Sequence, residues 1–125
     1  MSADESYLMV KLPPRLTGLP MAVWITANEG SRRNDVRVEV SKTHGGRGHW
    51  LDATAVVVRP HPCEVAPGSL TETDFAAVSR WIELNQVLIV DYWDGWLEID
   101  EVLQRLQRLP GTRAEKTEVA MRRSR

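Results

Sequence analysis

The stretch "DVRVEVSKTHGGRGHWLDATAVVVR", residues 35–59, contains two apolar runs on either side of a glycine-rich segment. In the first run Val36, Val38 and Val40 alternate with polar residues, which is the two-residue period of a strand with one buried face. The second run, residues 53–59, is more continuously apolar, which favours a strand covered on both faces or lying centrally. Because glycines and polar residues join the two runs, the sequence predicts an antiparallel hairpin.

A third strand is predicted upstream of this hairpin. Residues 21–27, "MAVWITA", are rich in β-branched and aromatic residues, and the polar, glycine-bearing segment 28–34 joins them to the next strand. Downstream, Pro60 and Pro62 end the run of strands because proline cannot donate to a ladder of hydrogen bonds. The simplest arrangement is an antiparallel meander of three to four strands.

The apolar period changes to that of a helix after Thr71. Thr71 followed by Asp74 resembles a capping box with aspartate in place of glutamate. Asn85 interrupts the apolar stripe of this helix, so we expect a kink near residues 84–86. The stripe itself consists of Phe75, Val78, Trp81, Ile82, Leu88, Ile89 and Tyr92.

A last helix is predicted after Gly95, which stands where a left-handed helix cap is needed. Asp100 is placed to cap this last helix, and its apolar stripe consists of Val102, Leu103, Leu106 and Leu109. Strands followed by helices predict an α+β fold. We expect an antiparallel sheet of three to four strands, packed through its valine face against two to three C-terminal helices.

One domain between two tails is the predicted organisation. Residues 20–110 are expected to form a single α+β domain, because 125 residues with 42% hydrophobic content suffice for one core. Residues 1–19 contain Pro13 and Pro14 without a sustained period and are expected to be a flexible lead-in. Residues 111–125 are expected to form a disordered basic tail.

Composition excludes several classes of protein. The formal net charge is −1, so the molecule lacks the overall basic field that makes nucleic-acid binding the default interpretation. Cys63 is the only cysteine and cannot form an intrachain disulfide, which favours a reducing, cytoplasmic setting. Asp4 and Glu5 stand where a secretion signal has basic residues. No apolar run approaches the roughly 20 residues that span a bilayer, so no membrane partner is expected.

Two segments resemble a group of small bacterial proteins of unknown function. Residues 80–106, "RWIELNQVLIVDYWDGWLEIDEVLQRL", have the W-I-x-x-N-x(6)-Y-W-D-G type of C-terminal signature, and residues 23–40 contain the E-G-x-R-R-N segment of the same group. The resemblance covers most of residues 20–109 and implies the same α+β fold. Related domains have a histidine-rich segment near the first strands, which this sequence lacks, so the resemblance assigns no catalytic residue.

Histidines are the main candidates for chemistry. His44, His49, His61 and Cys63 are all able to bind zinc, but the predicted meander places the first two at one end of the sheet and the last two at the other. A metal-dependent hydrolase that uses His44, His49 and Asp52 remains an alternative, with the two histidines as metal ligands. Because no complete catalytic set is visible, we expect no enzyme, no cofactor and no resident metal.

Two segments of opposite charge give the leading functional hypothesis. An arginine cluster lies at the predicted first hairpin, while residues 91–101 contain five acidic and no basic residues. Arginine pairs form bidentate contacts with carboxylates and phosphates. The sequence therefore predicts a non-enzymatic module that binds a protein partner. Its predicted partner-binding residues are Arg32, Arg33, Arg37, Asp94 and Glu98.

Two other interpretations of these charges remain open. The first is a nucleic-acid-binding module that uses the Arg32, Arg33 and Arg37 hairpin. The second is that both patches are solvated surfaces, or that they pair with each other inside the domain. The exposure of the tryptophans would discriminate, because an exposed tryptophan on a surface marks an interface.

Overall fold

The computed structural model describes residues 9–27 and 36–110, and within these ranges a sheet precedes the main helices. The strands are β1 (Met9–Leu12), β2 (Met21–Thr26), β3 (Arg37–His44), β4 (Ala53–Val57) and β5 (Cys63–Glu64). A short helix α1 (Pro14–Thr17) follows β1, and a 3-10 turn (Trp50–Asp52) precedes β4. The longer helices are α2 (Glu72–Leu84), α3 (Gln86–Trp93) and α4 (Ile99–Arg105).

The sheet is an antiparallel meander in the order β1-β2-β3-β4-β5, which confirms the predicted α+β class. It has five strands, one more than the upper limit of the prediction. The extra strands are the short ones at the two edges, β1 with four residues and β5 with two. Strands this short contain too few residues for an alternating pattern to be recognised in the sequence.

Part of the predicted N-terminal lead-in belongs to the fold. Leu12 of β1 lies opposite Val23 of β2 and is fully buried, so residues 9–12 are an edge strand and not a flexible segment. The backbone N–H of Leu109 donates to the carbonyl of Thr17 at 2.8 Å and joins the chain after α1 to the chain after α4. Residues 1–8 of the lead-in and the predicted tail, residues 111–125, lie outside the described residues.

The valines of the central hairpin form the core face, as predicted. Val38 lies opposite Val56 and Val40 opposite Thr54, and all three valines are fully buried. The strand that is covered on both faces is β2, whose first five residues are all buried. For β4 the sequence predicted a strand covered on both faces or lying centrally. The second of these is found, because β4 lies between β3 and β5, whereas its burial alternates along the strand.

The helices begin and end largely where the sequence predicts. Thr71 caps α2 and its side-chain oxygen accepts from the backbone N–H of Asp74 at 3.1 Å. The predicted kink is a break at Asn85, whose amide donates to the carbonyls of Trp81 at 3.0 Å and Gln107 at 2.9 Å. This buried amide ends α2 and holds the segment after α4 against it.

The start of α4 corrects one prediction. Glu98, and not Asp100, is the N-cap, and it forms a reciprocal capping box with Glu101. A capping box satisfies two backbone N–H groups, which outweighs the higher intrinsic preference of aspartate for the cap position. None of the helices in the two described ranges is long and apolar enough to cross a membrane.

Candidate functional site

The turn between α3 and α4 is held by backbone hydrogen bonds at both ends. Where α3 ends, the N–H of Trp96 donates to the carbonyl of Asp91 at 2.9 Å and the N–H of Gly95 donates to the carbonyl of Tyr92 at 3.1 Å. These two bonds, with Gly95 at φ 83°, form a Schellman motif. The capping box of Glu98 then begins α4. Residues 94–98, called the acidic turn below, are therefore fixed between two capped helix ends.

Trp96 projects from this turn into water. Its exposed fraction is 78%, whereas Tyr92 and Trp93 of the same segment are exposed by 8% and 5%. The residue at this position of a Schellman motif ordinarily packs back on the last turn of its helix. Here Asp91 occupies the position that such an apolar side chain would cover. Within the described residues the indole is therefore largely exposed to solvent.

Exposed carboxylates lie close to Trp96 in the sequence. Asp94, Glu98 and Asp100 are all exposed, and Glu98 is oriented by the capping box. Glu101 pairs with Arg105 at 3.9 Å. In the described ranges no basic side chain forms an ion pair with Asp94 or Asp100. The acidic turn thus combines a large apolar side chain with uncompensated negative charge.

The predicted basic hairpin is described only in part. Arg32 and Arg33 lie outside the described residues. Arg37 is the first residue of β3, is half-buried, and lies opposite Val57 of β4. Its place is therefore within the sheet and not at the tip of a loop. Of the predicted partner-binding residues, only Asp94 and Glu98 lie together on an exposed surface.

His44, at the end of β3, contacts the start of α2. Its Nε2 atom lies 2.9 and 3.0 Å from the two carboxylate oxygens of Asp74. The Asp74 side chain is 12% exposed and the His44 side chain 61%. Aspartate is shorter than the glutamate of a full capping box, and here its carboxylate binds the histidine. The pair fastens the β3–β4 connection to the first turn of α2.

His49 is also bound within the connection. Its Nδ1 atom accepts a hydrogen bond from the backbone N–H of Leu51 at 3.1 Å, so the neutral ring has its proton on Nε2. A metal at either ring nitrogen would require that this bond be broken. Asp52, the third residue of the hydrolase hypothesis, accepts from the hydroxyl of Thr43 at 3.5 Å. His44, His49 and Asp52 therefore have three different partners.

Metal-ligating side chains are not grouped elsewhere in residues 9–27 and 36–110. No set of three or more histidine, cysteine, aspartate or glutamate side chains there could hold an ion. Cys63 is exposed and lies opposite Val57, which itself lies opposite Arg37. That end of the sheet is opposite to the end at His44, as the predicted meander requires.

The β3–β4 connection exposes a second apolar surface. Trp50 is 45% and Leu51 is 72% exposed, and the two are consecutive in the 3-10 turn. The ring of His49 stacks on Trp50 with centroids 5.8 Å apart and an interplanar angle of 27°. Arg47 precedes this group and is exposed. Residues 47–52 are called the hairpin tip below.

Sequence reasoning did not identify the exposed tryptophans. Trp24 is buried at 5%, Trp81 is fully buried, and only Trp50 and Trp96 are substantially exposed. The position of Trp96 directly after a glycine cap did not indicate its exposure, because a residue there ordinarily packs back on the helix.

Comparisons with protein-family models, with curated proteins and with solved structures found no match to this chain. The resemblance to small bacterial proteins therefore remains a prediction that is based on residues 23–40 and 80–106 alone.

Proposed function

We propose that the protein is a non-enzymatic protein-interaction module of the bacterial cytoplasm and that the acidic turn is its binding surface. The observation that supports this function best is Trp96, which is 78% exposed in a turn fixed at both ends. The cytoplasmic and bacterial parts of the proposal rest on the single cysteine and on the resemblance to small bacterial proteins.

The apolar area of one tryptophan is large enough to anchor a complex. An aromatic side chain of this kind buries about 150–250 Å², which corresponds to roughly 4–6 kcal/mol at 25 cal/mol/Å² before the costs of association. A turn that is already rigid loses little conformational entropy on binding. Tryptophan is correspondingly enriched among the residues whose truncation costs most at interfaces.

The charges around Trp96 define the chemistry of the partner. Asp94, Glu98 and Asp100 favour a basic surface, with lysine or arginine side chains that pair with the carboxylates. An arginine has the further advantage that its guanidinium can stack on the exposed indole. Rim charges of this kind increase the association rate and the salt dependence more than the final affinity.

Parallel native pull-downs from a bacterial lysate test the proposal. Wild-type protein, Trp96→Ala and the control Val87→Ser are immobilised at equal density, since Val87 is 74% exposed on α3 but lies outside the acidic turn. We expect a stoichiometric protein band that Trp96→Ala loses and Val87→Ser retains. Recovery of no stoichiometric partner by the wild type, or equal recovery by all three proteins, would contradict the proposal.

Nucleic-acid binding predicts a different result in the same experiment. Capture through Arg32, Arg33 and Arg37 would be sensitive to nuclease, would weaken steeply with salt, and would be unchanged in Trp96→Ala. Arg32→Glu with Arg33→Glu would abolish such capture and leave an interaction through the acidic turn intact.

A further inference from the structure

The hairpin tip and the acidic turn both have an exposed tryptophan, and their surroundings differ in charge. Each presents a tryptophan from a rigid turn, Trp50 at 45% exposure and Trp96 at 78%. Residues 42–52, which include the hairpin tip, contain two basic residues and one acidic residue, Asp52, whereas residues 91–101 contain five acidic and no basic residues. The two surfaces are therefore complementary in charge, and both are apolar at the centre.

The hairpin tip is built firmly enough to serve as a ligand. His49 caps the 3-10 turn through the N–H of Leu51, and the N–H of Asp52 donates to the carbonyl of His49 at 2.9 Å. The N–H of Gly45 donates to the carbonyl of Pro20 at 2.8 Å, which fixes the other side of the connection. With the His44 contact to Asp74, the tip is attached to both β2 and α2.

The two surfaces do not satisfy each other within one molecule. In the described ranges the ring stacked on Trp50 is that of His49, and Trp96 has no ring contact. Lys42 and Arg47 are exposed, and neither forms an ion pair with a carboxylate of the described residues. A complementary pair of surfaces that remain separate in one chain is available to meet between two chains.

We propose that the protein associates with itself head to tail, with the hairpin tip of one copy docked on the acidic turn of the next. This inference rests on the proposed function, because it uses the acidic turn as one of its two surfaces and names a second copy of the chain as the basic partner. Trp50 and Leu51 pack against Trp96, while Lys42 and Arg47 approach Asp94 and Asp100. A contact between two different patches is heterologous, so it leaves one free surface of each kind at the ends of every open oligomer.

The association is expected to be weak and sensitive to salt. Two turns bury less than the roughly 1,600 Å² of a standard interface, and small interfaces are typical of transient contacts, so we expect a dissociation constant on the order of 10–100 μM. Because exposed charges contribute, raising the salt concentration is expected to reduce the association. Sedimentation velocity of the full chain should show a weight-average mass that rises above 14.2 kDa with concentration.

Complementation between two variants provides the decisive experiment. Trp50→Ser lacks a working tip and Trp96→Ser lacks a working turn, so we expect each variant alone to remain at the monomer mass of 14.2 kDa. An equal mixture still contains one intact tip and one intact turn, so it should form a dimer and nothing larger. The wild type, at the same total concentration, should continue to larger species.

Controls separate loss of the surface from loss of the fold. Leu51→Ser is a second tip variant at a side chain that is 72% exposed, and circular dichroism checks that every variant is folded. Val87→Ser should associate as the wild type does. Reversal of the charges in Lys42→Glu with Arg47→Glu should abolish association, and the addition of Asp94→Lys and Asp100→Lys to the same chain should restore it, because only the reversed charges can then pair between copies.

Several outcomes overturn the proposal. A wild type that stays monomeric up to about 1 mM, well above the expected dissociation constant, has no such interface. Dimerisation of either single variant alone shows a like-with-like contact, and a mixture that remains monomeric shows that the two surfaces do not meet. Binding of the tip to RNA or to anionic vesicles with no self-association assigns it to another partner. A monomeric wild type that still captures a protein through Trp96 leaves the proposed function intact.

Discussion

The hairpin tip and the acidic turn reach similar rigidity by different means. The tip depends on side chains: His49 caps it, His44 binds Asp74, and Ser41 bonds to Thr43 through both N–H and carbonyl. The acidic turn depends mainly on the backbone, through a Schellman motif at Gly95. Support by side chains requires particular residues, whereas support by the backbone requires mainly a residue that tolerates the conformation.

This difference determines where each region is sensitive to mutation. In the tip, any change that displaces a packed or hydrogen-bonded side chain should lower the free energy of unfolding. In the acidic turn, a change in backbone preference at Gly95 or loss of the Glu98–Glu101 capping box should do so. Trp96 should be replaceable without loss of stability because it is 78% exposed. A binding surface that is supported by the backbone, as in the acidic turn, can therefore change its exposed side chains with little loss of stability.

Gly48→Ala should be the most damaging change to the tip. A Cβ at this position would lie 2.7 Å from the Cβ of Ser41 and would also contact its hydroxyl oxygen. Ser41 is 1% exposed and cannot move without breaking its bonds to Thr43. We expect a loss of about 2–3 kcal/mol in the free energy of unfolding, measured by urea denaturation.

Gly46→Ala is the matched control for this prediction. Its Cβ would lie 3.7 Å from Cδ of Pro14, an ordinary contact, so a change within about 0.5 kcal/mol is expected. If the two variants lose the same free energy of unfolding, the close packing of Gly48 on Ser41 is not the cause of the loss.

Gly95→Ala should cost less, and it tests the backbone plan of the acidic turn. Gly95 has φ 83° and nothing within 4 Å of its added Cβ, so the cost is conformational alone. We expect a loss of about 1–2 kcal/mol in the free energy of unfolding. Gly95→Asn should lose less than Gly95→Ala, because asparagine adopts the left-handed conformation more readily. The same loss for asparagine and alanine would count against a Schellman motif here.

The His44–Asp74 pair contributes a smaller effect, which a double-mutant cycle can isolate. His44→Ala, Asp74→Ala and the double variant should give a coupling free energy of about 0.5–1 kcal/mol, because His44 is mostly exposed and water screens the pair. Asp74→Ala alone should cost more than His44→Ala, since it also removes a negative charge from the first turn of α2. A coupling of zero would remove this pair from the supports of the tip.

The sequence predicted the parts of the fold that depend on short-range patterns. The alternation of Val36, Val38 and Val40, the cap at Thr71 and the break at Asn85 all involve residues within a few positions of one another. Each of these patterns has one strong local solution, such as a buried strand face or a helix end. For this reason the α+β class and the meander could be predicted.

The candidate surfaces could not be predicted in the same way. The contact between His44 and Asp74 joins residues that are 30 positions apart, and it forms only because α2 begins over the end of β3. Trp81 belongs to the predicted apolar stripe and is fully buried, whereas Trp96 lies between predicted helices and is 78% exposed. Which side of a turn faces the core is decided by the packing of α3 and α4 together, and no local pattern records it.

The smallest expected change in the free energy of unfolding comes from His49. It distinguishes the hydrogen bond that His49 accepts from the stacking of its ring on Trp50. His49→Asn replaces the ring nitrogen with a side-chain oxygen that can accept from the N–H of Leu51, whereas His49→Ala removes the acceptor. We expect a loss of about 0.5–1 kcal/mol for alanine and less than half of that for asparagine, by the same urea measurement. Both variants lose the ring that stacks on Trp50. If asparagine and alanine are equally destabilised, the stacked ring and not the hydrogen bond holds the tip, and support by a cap would then be confined to the acidic turn.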